Sequence, residues 1–301
     1  MLDVSLIGTS GMMPLPNRYL TALYLRLNGR LLLIDCGEGT QVTLKSLGWG
    51  FKNLDVILIT HFHADHISGL PGLLLTVGNS GREEPITIIG PRGLSHVVKS
   101  LLVIAPELPF EINIIEMQKP EEFQIGEFNI KSLNVEHGMD CFAYSIYVKR
   151  LGKFNPEKAK ALNLPVKFWS VLQKGETVEY EGKTYEPDLV MGDCRKGIKI
   201  SYCTDSRPVK RLVPFIAHSD LFICEGIYGE DEKIDKAREY KHMIFKEAAT
   251  LAKDGEVKEL WLTHYSPALT NPKEFLNNAR AVFKNSYCGY DRKCVTIMFE
   301  E

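Results

Sequence analysis

The 301-residue chain has little of three things: long apolar runs, paired cysteines and an excess of one charge. No run approaches the roughly 20 apolar residues of a membrane span, and no basic segment precedes the first apolar stretch, so neither an anchor nor a signal peptide is predicted. The seven cysteines are scattered without a C-x-x-C pair, which argues against a disulfide scaffold or a cysteine zinc site. We therefore expect a reducing, cytoplasmic location and no association with membranes.

The charges almost cancel, since 36 Lys and Arg face 38 Asp and Glu. This balance excludes an extended polybasic nucleic-acid binder, so any nucleic acid must meet a local basic surface. Residues 150–199 differ from the rest, because they hold ten basic and seven acidic residues and their strand signals are weak. Two interpretations stay open for this segment: a solvated surface excursion, or an arm that contacts an anionic partner.

Short β-branched apolar runs alternate with helical patterns in both halves of the chain, which predicts a layered α/β fold. The strand-like runs lie at residues 4–7, 31–34, 56–59, 86–89, 112–115, 198–202, 221–224, 260–262 and 295–299. Helical patterns cover residues 93–102, 209–217, 243–253 and 272–283. Several strands end in a polar residue that begins a loop, where functional side chains are often found.

The most informative segment is THFHADH at residues 60–66, which follows an apolar strand. Three imidazoles and a carboxylate so close together suit a divalent metal ion, with zinc as the first candidate. His61 and His63 can turn to one side of the loop while Asp65 and His66 turn to the other. One segment could then serve two metal ions. The alternative is a histidine-rich surface turn.

Three further residues stand at expected strand ends: His137, Asp205 and His264. Taken alone, each reads more simply as a turn or cap residue. Taken with the histidine segment, they supply the ligands that two metal sites still lack.

With this histidine segment and the three residues that complete it, the chain resembles the metallo-β-lactamase fold superfamily and, within it, the ribonuclease Z family, whose members trim precursor tRNA 3′ ends. The matching islands run in family order over nearly the whole chain. They are LIDCGEGTQ at 33–41, THFHADHISGLPG at 60–72, His137, TDSRP at 204–208, Glu225, KH at 241–242, EAA at 247–249 and LTHYS at 262–266.

The resemblance implies a four-layered αβ/βα sandwich formed by residues 1–149 and 199–301, with an inserted arm at 150–198. It also implies two Zn²⁺ ions per subunit, with Mn²⁺ as an alternative. The implied ligands are His61, His63 and His137 for one ion, Asp65, His66 and His264 for the other, and Asp205 as a bridge.

Catalytic roles follow from the same resemblance. Asp65 would accept the proton of the attacking hydroxide, and His242, oriented by Glu225, would protonate the departing ribose 3′-oxygen. A positioned acid is worth a large factor for so poor a leaving group, about 10²–10⁴. The alternative is that His242 opens a helix and Glu225 caps a strand. His96 and His218 match nothing in the family and are interpreted as ordinary histidines.

The implied activity is zinc-dependent removal of 3′ trailers from precursor tRNA, leaving a 3′-hydroxyl and a 5′-phosphate, by a homodimer whose arm grips tRNA. One departure from the family is Ile244, where Thr is frequent. Two other functions stay open: a hydrolase of the same fold acting on small phosphodiesters or sulfate esters, and a non-catalytic RNA-binding scaffold.

Overall fold

The computed structural model describes residues 1–300, which form two compact units. The larger unit combines Met1–Tyr147 with Lys199–Met298, and the smaller one consists of Val148–Ile198 with the chain end from Phe299. Within residues 1–300 there is no helix long and apolar enough to cross a membrane.

The larger unit contains two seven-stranded sheets. The first has the spatial order β16 (Cys294–Ile297), β1 (Leu2–Gly8), β2 (Ala22–Leu27), β3 (Arg30–Ile34), β4 (Leu54–Leu58), β5 (Ile86–Pro91) and β6 (Ile112–Met117). The second has the order β15 (Ser286–Cys288), β14 (Leu260–Thr263), β13 (Leu221–Glu225), β12 (Arg195–Cys203), β9 (Phe142–Arg150), β8 (Phe128–Asn134) and β7 (Glu122–Ile125). Strands β3 to β6 run parallel to one another, and so do β12 to β15.

Helices cover the outer face of each sheet. In the larger unit they are α1 (Thr40–Leu47), α2 (Ala64–Ile67), α3 (Leu70–Asn79), α4 (Leu94–Leu101), α7 (Leu212–Ile216), α8 (Ile234–Glu239), α9 (Phe245–Asp254) and α10 (Leu276–Arg280). Three short 3₁₀ turns lie at Leu102–Ile104, Asp231–Lys233 and Pro272–Phe275.

The cores explain this layering. The apolar run of β3 is buried on both faces of its sheet, as expected for a strand covered from both sides. Leu33 packs in one cluster with Leu73 of α3, and Phe222 of β13 packs in another with Ala248 of α9. Between the sheets, the Tyr144 hydroxyl donates to the carbonyl that follows β4, at 2.7 Å. The order helix, sheet, sheet, helix confirms the predicted four-layered αβ/βα sandwich.

The smaller unit has its own core and its own elements. They are α5 (Pro156–Ala161), α6 (Trp169–Gln173), the hairpin β10 (Val178–Tyr180) with β11 (Lys183–Tyr185), and 3₁₀ turns at Val166–Phe168 and Pro187–Leu189. Asn155 caps α5 by accepting from the Glu157 and Lys158 amides. Buried Ala159, Leu164 and Leu172 form the centre of this small core.

Candidate metal centre

The histidine segment leaves the carboxyl end of β4 and turns at His63 into the short helix α2. His63 has an extended backbone, with φ −63° and ψ 147°, and the helix begins immediately after it. This change of direction separates the first two imidazoles from Asp65 and His66. The parallel strands β12, β13 and β14 end at the same edge of the second sheet and deliver Asp205, Glu225 and His264. Every site residue predicted from the sequence lies in this region.

The first group of side chains contains His61, His63, His137 and Asp205, whose facing atoms lie within 4.8 Å of one another. The His63 Nδ1 is 3.0 Å from His61 Nε2 and 3.2 Å from His137 Nε2. Asp205 Oδ1 lies 3.9 and 3.8 Å from the same two Nε2 atoms. These four atoms are close enough together to hold one divalent metal ion.

The second group contains Asp65, His66 and His264. The two Nε2 atoms of these histidines are 3.2 Å apart, and Asp65 Oδ2 lies 3.3 Å from that of His264 and 3.6 Å from that of His66. Asp205 reaches this group with its other oxygen, since Oδ2 lies 3.1 and 3.2 Å from the same imidazoles. Each oxygen of this carboxylate therefore faces a different group.

The Asp205 side chain also tests whether a cation fits here. Its Oδ2 is buried, and although two imidazole nitrogens lie 3.1 and 3.2 Å away, no group of residues 1–300 donates a hydrogen bond to it. A buried carboxylate oxygen without a partner is costly unless a cation completes its surroundings. Burial by itself would raise the pKa of Asp205, but the rings of His264, His66 and His61 hold it well below its usual range. The donor set and this anionic oxygen suit a divalent metal ion.

A buried carboxylate behind the site orients two of the histidines. Asp35 follows β3 and accepts from His66 Nδ1 at 2.8 Å. It also accepts from the Thr60 amide at 2.8 Å and the Thr60 hydroxyl at 3.0 Å, and that hydroxyl lies 3.0 Å from His61 Nδ1. One carboxylate thus sets the ring orientation in both groups, directly for His66 and through Thr60 for His61. Asp35 stands in the motif LIDCGEGTQ, but its role at the ligands was not predicted from the sequence.

The loop that follows β1 forms another wall that sequence reasoning missed. The Met12 amide donates to Asp65 Oδ2 at 2.7 Å. Gly11 lies so close to His264 that a Cβ atom there would stand 2.7 Å from ring atom Cε1. Gly11 was the available signal in the sequence, because a side chain at this position would displace the His264 imidazole.

Three site residues adopt left-handed backbone conformations, with φ of 59° at Asp35, 51° at Asp205 and 56° at His264. Non-glycine residues rarely adopt this region, and such strain concentrates at functional sites.

His242 lies beside the two groups and is paired with Glu225. Its Nδ1 is 3.0 Å from the Glu225 Oε2, a fully buried carboxylate. Burial opposes the charged ring, yet Glu225 raises the pKa of His242 to about 9. His242 also lies within 4.8 Å of Asp205 and His264, so a ligand role is a geometric alternative to that of a proton donor.

His96 and His218 lie outside this region, as expected. His96 is exposed on α4, and His218 is exposed after α7, where its Nδ1 lies 3.5 Å from Glu256.

Solved structures of similar fold indicate the class of protein to which this chain belongs. The chain superposes on the metallo-β-lactamase fold protein YhfI from Bacillus subtilis with a TM-score of 0.72 and 20% identity, covering 98% of this chain and 100% of that one. The human short-form tRNase Z gives a TM-score of 0.71 and 25% identity, with 99% and 100% covered. A family model described as Anti-Pycsar protein Apyc1 matches residues 2–155. The fold and the His/Asp clusters thus define a protein of the metallo-β-lactamase fold with a candidate metal centre.

Full-length relatives narrow this class. The chain is 59% identical over 303 residues to the ribonuclease Z of Clostridium kluyveri and 56% identical over 302 residues to that of Agathobacter rectalis, with all of each chain covered. The chain belongs to the ribonuclease Z family. It is a metal-dependent endoribonuclease of tRNA 3′-end processing, which confirms the resemblance drawn from the motifs.

Proposed function

We propose that this protein cuts precursor tRNA at the junction with its 3′ trailer, in the cytoplasm, leaving a 3′-hydroxyl on the tRNA and a 5′-phosphate on the trailer. Two zinc ions per subunit serve the reaction, with manganese as the alternative metal. The observation that carries the proposal is Asp205, whose two carboxylate oxygens face two separate ligand groups.

The residues divide the metal binding between them. His61, His63 and His137 would hold one ion, Asp65, His66 and His264 the other, and Asp205 would bridge them. Two divalent ions bound by these residues would supply a nucleophile at neutral pH and would neutralise charge on the phosphate oxygens. Asp65 accepts the proton from the nucleophile. Burial would raise the pKa of Asp65, but His264 and His66 lower it below its usual range, so the carboxylate is ionised, as a ligand of a cation must be.

The proton for the leaving group comes from His242. Glu225 accepts from Nδ1 of this ring, which leaves Nε2 as the atom that delivers a proton to the ribose 3′-oxygen. The same carboxylate accepts from the Ser206 amide, at 2.5 Å, and from the Met243 amide, at 3.1 Å. Glu225 therefore orients the acid, and its negative charge favours the protonated ring.

The smaller unit is the proposed tRNA-binding arm, and its charges are unevenly distributed. Between residues 153 and 174 there are five lysines and one acidic residue, whereas residues 176–193 hold six acidic residues and one lysine. All of these side chains are exposed. The proposed contact surface is the helical part, residues 153–174, because phosphate contacts dominate RNA affinity.

A defined cleavage assay tests the function. Metal-stripped protein reloaded with zinc or manganese is incubated with a labelled precursor tRNA that carries a 3′ trailer. One cut at the trailer junction is expected, with a tRNA end that a polymerase can extend and a trailer that accepts a kinase label only after dephosphorylation. Hydrolysis restricted to small diesters would support the small-molecule alternative. A metal-free protein that stays folded and binds tRNA would support the scaffold.

Sedimentation of the same sample tests the proposed homodimer.

A further inference from the structure

Arg207 follows the bridging aspartate by two residues and reaches the loop that carries His242. Its Nη1 donates to the His242 carbonyl oxygen. Both Nη atoms also donate to the Glu247 carboxylate, one of them at 3.0 Å, in the forked geometry that only arginine offers. The pair is largely buried, with side chains 14% and 18% exposed.

Glu247 closes the other side of this loop. It stands in the first turn of α9, where its Oε2 accepts from the Ile244 amide at 3.1 Å. A Thr at position 244 could cap the helix with its hydroxyl, but the isoleucine has no polar side-chain atom and is buried beside Ile227 and Tyr228. One carboxylate, that of Glu247, therefore accepts the hydrogen bond of the Ile244 amide at the start of α9 and also pairs with Arg207.

Two sets of hydrogen bonds thus connect the loop that carries His242 with the segment that carries Asp205. Arg207 and Glu247 hold it on one side, while Glu225 accepts from the His242 ring and from the Ser206 amide on the other. The Arg207 amide additionally donates to the Glu136 carbonyl at 3.0 Å, next to His137. The contacts connect the position of the acid with the position of the metal ligands.

We propose that the Arg207–Glu247 pair is a positioning device that holds His242 in line with the departing 3′-oxygen. The proposal rests on the role of His242 as proton donor. Arg207 would then act on catalysis only through His242. Replacing Arg207 should therefore lower the cleavage rate most for substrates whose leaving group needs a proton. A pair that merely stabilises the fold would affect all substrates alike.

The test compares two substrates in two backgrounds. Arg207→Lys keeps the charge but loses the fork. We expect precursor tRNA cleavage to fall about tenfold, because small displacements of a catalytic group are costly, while bis(p-nitrophenyl) phosphate, with its stable phenolate leaving group, is hydrolysed at nearly the original rate. In a His242→Ala background the same change should cause no further loss. Arg30→Lys is the matched control, since Arg30 forms a forked pair with Asp55 on the first sheet.

Each outcome decides the matter. The proposal is overturned if Arg207→Lys slows both substrates equally, or still slows precursor cleavage when His242 is absent. If His242→Ala alone reduces both activities equally, the proton-donor role fails first and the positioning role fails with it, so the two failures are distinguishable. Should Arg207→Lys fold poorly, Glu247→Gln is expected to reproduce its pattern more weakly, and an unselective loss there would count against the pair.

Discussion

The candidate metal centre and the proposed arm are built on opposite principles. Side chains of the metal centre come from segments spread between residues 35 and 264, and most are buried and connected by hydrogen bonds. The arm is one continuous segment whose lysines are exposed around a small core. A single substitution should therefore be severe in the centre, whereas in the arm only the summed charge should matter.

The largest effect is expected at the bridge. Asp205→Ala removes the carboxylate that faces both ligand groups, so precursor cleavage should fall to the level of the metal-free protein. Metal content, measured by mass spectrometry, should fall with it, while circular dichroism shows an intact fold. Normal cleavage with a full complement of metal would refute the two-ion arrangement.

A smaller loss that depends on the substrate is expected at the acid. His242→Ala should slow precursor cleavage by about 10²–10⁴ and slow bis(p-nitrophenyl) phosphate hydrolysis far less. Metal content should stay at the level of the original protein, because both ligand groups are complete without this ring. Loss of zinc would instead identify His242 as a ligand. Glu225→Gln should give the same selectivity with a smaller loss.

An intermediate effect is expected behind the ligands. Asp35→Asn keeps the size of the side chain but removes the charge that His66 and Thr60 contact, so metal affinity should fall about 10–100-fold. Competition with a chromogenic chelator measures this affinity. Asp3→Asn is a suitable control, because Asp3 also accepts from a side chain, Arg26 at 2.9 Å, but lies on β1 away from the ligands. Equal affinity in both variants would show that Asp35 has no influence on the metal.

The smallest effect per residue is expected in the arm. Replacing Lys153, Lys167 and Lys174 together by Gln should weaken tRNA binding and flatten its salt dependence, by up to about 0.7 in slope for each lysine that contacts a phosphate. Replacing Glu176 and Glu179 by Gln, in the acidic part, should leave the affinity unchanged or raise it. Hydrolysis of a small diester should be unchanged in both variants. Equal weakening by both sets would assign the segment a structural role.

The sequence was most informative where chemistry and topology coincide. Asp205 and His264 both follow apolar strands of the second sheet, and parallel strands bring their carboxyl ends to one edge of a sheet, so the proximity of these two residues could be predicted. His61 follows β4 of the first sheet, and its place beside them was expected not from the topology but from the residue types and the family resemblance. The layered fold followed for a similar reason, because the run at β3 is apolar on both faces.

Contacts that depend on three-dimensional packing were missed. The link from Asp35 to His61 requires a left-handed residue and the Thr60 hydroxyl in one place, which no spacing announces. The helix predicted over 272–283 is wrong in extent, since a 3₁₀ turn covers Pro272–Phe275 and α10 ends at Arg280. The apolar residues beyond it, Val282 and Phe283, pack into the core from an irregular segment, where their periodicity still resembled a helix.

The distribution of the ligands also bears on how the molecule resists unfolding. Asp65 and His66 follow a strand of the first sheet, whereas Asp205 and His264 follow strands of the second. A metal ion bound by all four would cross-link the two sheets over about two thirds of the chain, as a disulfide does in proteins that are oxidised. Loading with metal would then slow the opening of the folded chain, and limited proteolysis with and without metal would measure the difference.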